Sequence, residues 1–181
     1  MARSGYLILH GYQGSGPGHW QSWLAGRLRS ADGSVRFPDL PDPDNPRLDA
    51  WLDALERELG AFGAPPVVVC HSLACVLWLH HVAREGRPAE RVLLVAPPSP
   101  TGVPDVLAPF FPTPDVALDN ARLVYAENDP YCPEGAASVF PGLTTDLLPG
   151  QGHINPDAGY GPWPAVEAWA RAGATPLRAK P

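Results

Sequence analysis

Val67-Val68-Val69-Cys70 is an apolar run of strand length that stops at His71-Ser72, and Leu73, Val76, Leu77, Leu79 and Val82 resume at once with the spacing of a buried helix. Strand and helix therefore meet with almost no loop between them. A serine on such a corner sits on a sharp, strained turn, with its hydroxyl clear of the sheet and the following N–H at a helix N-terminus. These are the mechanical requirements of a nucleophile elbow. The usual G-x-S-x-G spelling is not met, because Cys70 and Ala74 take the two glycine positions. Both are small, and small side chains are what the close approach of the two backbones demands. The plainer alternative is that Ser72 caps the helix behind it.

The rest of the chain repeats the alternation. Tyr6 to His10 reads as a central parallel strand buried on both faces, followed by a glycine-rich loop from Gly11 to Gly18. Trp20, Trp23, Leu24 and Leu28 then form the stripe of a helix expected to end near Gly33, and Val35 to Phe37 is a short second strand. After a proline and aspartate loop from Pro38 to Pro46, Leu48, Trp51, Leu52, Leu55, Leu59 and Phe62 keep helical spacing. Further strands are expected at Val92 to Ala96, Leu123 to Ala126 and Asp146 to Leu148, and a last helix from Pro162 to Ala172. Residues 97 to 121 are irregular and proline-rich, placing them as a surface segment over the sheet edge, and residues 171 to 181 read as a frayed tail. Strands alternating with helices make a doubly wound parallel sheet in a single domain over 1 to 181.

Ligands in such sheets sit outside the carboxyl ends of the strands. The polar residues collect there: His10-Gly11, Ser72, Glu127-Asn128-Asp129 and Gly152-His153 each follow a strand. A serine hydroxyl needs a neighbouring base to attack a carbonyl, commonly a histidine oriented by a buried carboxylate. Ser72, Asp129 and His153 supply these groups at three strand exits, in the order Ser, Asp, His. Taken singly, Asp129 before Pro130 is a turn residue and His153 a loop residue. An oxyanion needs preorganised donors. The Leu73 N–H is one, and the Tyr12 N–H, with Gln13 as fallback, is the other.

The chain resembles the small, lid-poor serine hydrolases of the retinoblastoma-binding protein nine type, within the α/β-hydrolase superfamily. The residues that carry the resemblance are His10-Gly11-Tyr12-Gln13-Gly14-Ser15, His71-Ser72-Leu73, Glu127-Asn128-Asp129-Pro130-Tyr131, Gly152-His153-Ile154-Asn155 and Gly159-Tyr160-Gly161-Pro162-Trp163-Pro164. The resemblance implies a three-layer α/β fold, with a mostly parallel sheet of about six strands, helices on both faces and little or no lid. It implies an esterase-like or peptidase-like activity with Ser72, Asp129 and His153 as the catalytic residues. Phe110, Phe111, Tyr131 and Trp163 lie near the strand exits and are expected as walls of an apolar acyl pocket.

Composition narrows the partners. A formal charge of −6 disfavours nucleic acid or an anionic membrane surface, which need a basic face, and leaves small-molecule esters or peptide-like substrates. The glycine loop lacks both G-x-G-x-x-G and G-K-[ST], since His19 stands where the third glycine belongs. Cys70, His71, Cys75, His80 and His81 match no zinc spacing, so neither cofactor nor metal is expected. Three cysteines without a C-x-x-C pair suit a reducing compartment, no apolar run is long enough to span a bilayer, and a cytoplasmic location follows. Cys132 is expected to be exposed enough for oxidation. Two other functions stay open: acyl transfer to an alcohol, and a protein-binding module whose pocket is occluded.

Overall fold

A computed structural model describes residues 5–30 and 34–181. Its centre is a six-stranded sheet: β1 (Tyr6–Leu9), β2 (Val35–Arg36), β3 (Val67–His71), β4 (Arg91–Val95), β5 (Ala121–Tyr125) and β6 (Thr144–Leu147). All neighbours pair in parallel, in the order β2-β1-β3-β4-β5-β6. Chain order reverses beside β1, and β3 runs up the middle.

Period-two alternation sorts each strand between two cores. On β3, Val68 and Cys70 face one side, where α2 (Leu48–Gly60) and α3 (Leu73–Ala83) bring Trp51, Leu55, Val76 and Leu77. Val67 and Val69 face the other, against Trp20, Leu24 and Leu28 of α1 (Trp20–Arg29) and Val166 and Trp169 of α5 (Pro164–Ala172). Helices thus cover both faces of the sheet. Each fully buried Val or Leu contributes about 1.5–3 kcal/mol of transfer free energy, and β3 has such residues on both sides. That makes β3 a rigid mount for whatever stands at its C-terminal end.

Several boundaries differ from the sequence expectation. α1 stops at Arg29, where the Ser30 N–H bonds Gly26 and its hydroxyl bonds the Arg27 carbonyl; the expected end near Gly33 lies outside the described residues. α5 starts at Pro164, whose missing N–H suits a first turn. A one-turn helix, α4 (Ala136–Val139), had no counterpart in the sequence reading. The tail expected to fray is instead docked. Leu177 is buried and its N–H donates to Asp146, while the Arg178 carbonyl accepts the Trp163 indole N–H at 2.7 Å.

Of the segment expected over the sheet edge, Pro98, Val103, Pro104 and Leu107 stand beside Ser72, with a 3₁₀ turn at Asp105–Phe110, whereas Asn120 is already at the other end of the sheet, its carbonyl accepting the Val92 N–H, and Ala121 opens β5. The segment's start is pinned rather than free. The Ser99 N–H bonds the Tyr131 carbonyl at 2.9 Å, and the Ser99 and Thr101 hydroxyls both donate to Glu134. No helix among the described residues is long and apolar enough to cross a membrane.

Candidate active site

The corner between β3 and α3 has the strain the sequence implies. Ser72 adopts φ 56° and ψ −124°, a region that costs a non-glycine residue about 1–3 kcal/mol. Its side chain makes no cap bond to α3, so the capping alternative fails. Instead the Ser72 hydroxyl donates to His153 Nε2 at 2.9 Å. On the far side of the ring, the His153 Nδ1–H donates to Asp129, 2.9 Å from Oδ2 and 3.0 Å from Oδ1. Three side chains separated by 57 and 24 positions therefore form one hydrogen-bonded line, with Asp129 and His153 buried.

The loop that carries His153 is held residue by residue. Glu127 takes the Gly150 N–H, Asn128 takes the Gly152 N–H at 2.8 Å, and Asp129 takes His153 itself. The run leaving β5 thus fastens the loop leaving β6. His71 adds a bond of its own, its Nε2–H donating to the His153 carbonyl at 2.9 Å. The Trp20 indole N–H holds the next carbonyl, that of Ile154, at 2.8 Å. Ile154 sits at φ 49°, an outlier for a β-branched residue, and these bonds are what keep it there.

The loop after β1 closes the other side. A methyl on Gly11 would come 2.8 Å from Ser72 Cβ and 3.2 Å from the Leu73 nitrogen, so only glycine lets the two backbones meet. His10 fixes this approach, its Nδ1–H donating to the Gly11 carbonyl and its Nε2 accepting the Leu40 N–H, both at 2.8 Å. The Gln13 N–H is taken by the Pro43 carbonyl at 2.9 Å. The Tyr12 and Leu73 N–H groups have no acceptor among the described residues, which leaves them available as a pair of donors beside Ser72.

Above Ser72 opens a cavity of about 320 Å³, at the small end of ligand sites. Pro98, Val103, Pro104 and Leu107 give it an apolar wall, and Tyr12, His19, Asn155 and Asp157 a polar one. Of the four residues expected to line it, Tyr131 does, with its ring 4.4 Å from that of His153. Phe110, Phe111 and Trp163 do not. Phe110 is fully buried edge-on against Trp51, Phe111 packs on the same core, and Trp163 lies between Trp20 and Tyr160 on the opposite face of the sheet. Large rings find more contact area beneath the segment than at its rim, and the smaller Val103 and Leu107 form the wall. Cys132 is also corrected: it is buried, and burial pushes its thiol up to about 11.

The sequence reading missed His71, which clamps the His153 backbone, and His19, which it noted only as an interruption of a glycine pattern. His71 ends β3 and His19 caps α1, and nothing in the sequence around either marks the part it plays. Burial lowers the pKa of His10, takes His19 down to about 4 and holds His71 well below its usual value. These rings fold neutral but gain protons when unfolded, so the unfolded state binds more protons and stability decreases as pH is lowered. The loss should begin as pH drops through about 6.5, the unfolded histidine value, and continue to about 4, with His19 alone contributing on the order of 3 kcal/mol. Thermal melts across pH 4 to 8 check this; a melting temperature flat over that range would contradict it.

A family model described as Serine hydrolase matches residues 6–171. The hydrolase YdeN of Bacillus subtilis strain 168 is 37% identical over 68 residues, which are 38% of this chain and 36% of that protein, so the match spans about a third of the curated relative. Among solved structures, a YdeN-like hydrolase from Pectobacterium atrosepticum superposes with a TM-score of 0.77 at 23% identity, covering 93% of this chain and 89% of that one. The ydeN gene product of Bacillus subtilis follows at 0.69 and 22%, covering 91% and 95%. At such identities the structural likeness is one of α/β-hydrolase fold. The family match, which takes in the whole sheet and every residue of the hydrogen-bonded line, carries the assignment: this chain belongs to the serine hydrolase family.

Proposed function

We propose that Ser72 is the nucleophile of an esterase-like hydrolase that cleaves an ester, thioester or amide through an acyl-enzyme. His153 Nε2 takes the hydroxyl proton as Oγ attacks the carbonyl, Asp129 holds the ring in the Nδ1–H tautomer, and the Tyr12 and Leu73 N–H groups receive the oxyanion. His153 then returns the proton to the leaving group, and water repeats the cycle on the acyl-enzyme. The observation that carries this reading is the unbroken line from Ser72 through His153 to Asp129 at the floor of a cavity.

The small volume and the wall of Val103, Pro104 and Leu107 favour short acyl groups. Within its family the chain is proposed to be of the retinoblastoma-binding protein nine type. Three free, buried thiols suit a cytoplasmic location. Transfer of the acyl group to an alcohol would use the same intermediate, and product analysis in water with added alcohol separates the two. No observation favours a binding module with an occluded site, since Ser72 lines the cavity.

Reaction with a fluorophosphonate, followed by mass spectrometry of the peptide containing Ser72, tests the nucleophile directly. A folded protein that stays unlabelled, or is labelled elsewhere, would remove the reading. Gly11→Ala should lower kcat/KM on a short ester by about 10²-fold, because the added methyl pushes the oxyanion loop away from the elbow. It should cost about 1–3 kcal/mol of stability as well, and denaturant titration beside ester turnover reads both.

A further inference from the structure

His19 lines the cavity beside Ser72 but takes no part in the hydrogen-bonded line that ends there. It stands just before α1, and its Nδ1 accepts the Gln21 N–H at 3.1 Å, an N-cap made by an imidazole. Burial first, and then its His153 and His10 neighbours, take its pKa down to about 4, so at neutral pH the ring holds one proton. With Nδ1 committed as an acceptor, that proton is on Nε2. Among the described residues no protein acceptor takes this N–H, although the ring packs 4.8 Å from that of His71 and is almost fully buried. Among the described residues the fully buried side-chain N–H groups without a partner are those of Trp78 and Arg91, so the unpartnered His19 N–H is not sealed in the core but opens onto the cavity that His19 lines, where water or an oxygen of a bound substrate accepts it.

The position of His19 says which part of a substrate it meets. Trp20, the next residue, bonds the Ile154 carbonyl, and this brings Asn155, Pro156 and Asp157 alongside the start of α1. Asn155 spends its Oδ1 on the Ala158 N–H at 3.2 Å, which leaves its amide hydrogens free. The polar part of the lining is therefore built from the His153 loop and the α1 start, and the apolar part includes Val103 and Leu107 of the segment after β4. In acyl transfer the leaving oxygen takes its proton from the imidazole, so the leaving group lies over His153 and against the wall that its own loop continues.

On the basis that Ser72 is the nucleophile, we propose that His19 is a specificity-determining residue whose Nε2–H donates to an oxygen of the leaving group, selecting short-chain esters of hydroxylated alcohols over their hydrocarbon isosteres. The oxygen need only accept, so hydroxyls fit, and a methyl in its place strands the donor.

The test compares 2-hydroxyethyl acetate with propyl acetate, and 1-O-acetylglycerol with 2-methylbutyl acetate, pairs that exchange hydroxyl for methyl at constant size. The wild-type protein should favour the hydroxylated member by about tenfold in kcat/KM, as one buried neutral hydrogen bond provides. His19→Asn and His19→Ser keep a good N-cap side chain and lose the ring donor. Both should melt within a few degrees of wild type and bring the ratio close to one. A ratio near one in the wild-type protein, or a preference that persists in both variants whatever their absolute rates, overturns the proposal, since a purely structural role for His19 would slow both members alike. Fluorophosphonate labelling of the wild type runs alongside. Labelling at Ser72 without the hydroxyl preference sinks this inference alone, whereas no labelling takes the nucleophile reading down with it.

Discussion

Ser72→Ala should lower kcat on a short-chain ester by about 10⁶-fold while leaving the protein folded. The size of the effect follows from what the hydroxyl does: among the described residues it is the only group bonded to His153 Nε2, and alanine leaves the imidazole without a proton to take. Any residual rate would come from the Tyr12 and Leu73 donors acting on bound ester, as the oxyanion site does when the nucleophile is gone. A companion variant separates chemistry from fold. Ser72→Gly should be equally inactive yet more stable, because glycine relaxes a residue held at φ 56°, a conformation worth about 1–3 kcal/mol of strain. Ester turnover and thermal melting of the two variants check this. An Ala variant that retains more than a hundredth of wild-type kcat would end the assignment of Ser72.

Asp129→Asn should slow kcat by about 10⁴-fold with a smaller change in KM. The carboxylate accepts the His153 Nδ1–H and also the Tyr131 N–H at 2.9 Å. Asparagine can keep the second bond through its oxygen, but turning its amide hydrogens to His153 would place the imidazole proton on Nε2, where it faces Ser72 as a donor. The base is then unavailable although the geometry survives. Because Asp129 is buried, Asp129→Ala would also leave an unfilled space and an unpaired imidazole N–H, so the asparagine variant is the informative one. Steady-state kinetics resolve the two constants, and a loss confined to KM would show that Asp129 acts in binding rather than on the imidazole.

Much of the architecture was legible along the chain. The strand of Val67 to His71, the stripe of α2 and the alternation of the two are local patterns, and each survives in the structure with ends shifted by a residue or two. Ser72, Asp129 and His153 were legible for the same reason: each follows a strand, and a parallel sheet brings successive strand exits to one rim whatever the loops between them do. The tail was misread because its anchors, Asp146 and Trp163, lie 31 and 15 residues away and exert nothing on local composition.

The cavity walls were the least legible part. Phe110 and Leu107 lie three residues apart in the same irregular segment, and nothing in their order says that the phenyl ring packs under Trp51 while the leucine reaches the rim. His19 and His71 were equally silent, since an imidazole that caps a helix and one that clamps a backbone look the same in sequence. The sequence by itself determined the layered sheet and which side chains stand at its rim, because period-two and period-3.6 burial are properties of each segment alone. Only the tertiary structure decided which of the remaining side chains face the substrate, because that choice depends on long-range packing and on which N–H groups open onto the cavity without a protein partner.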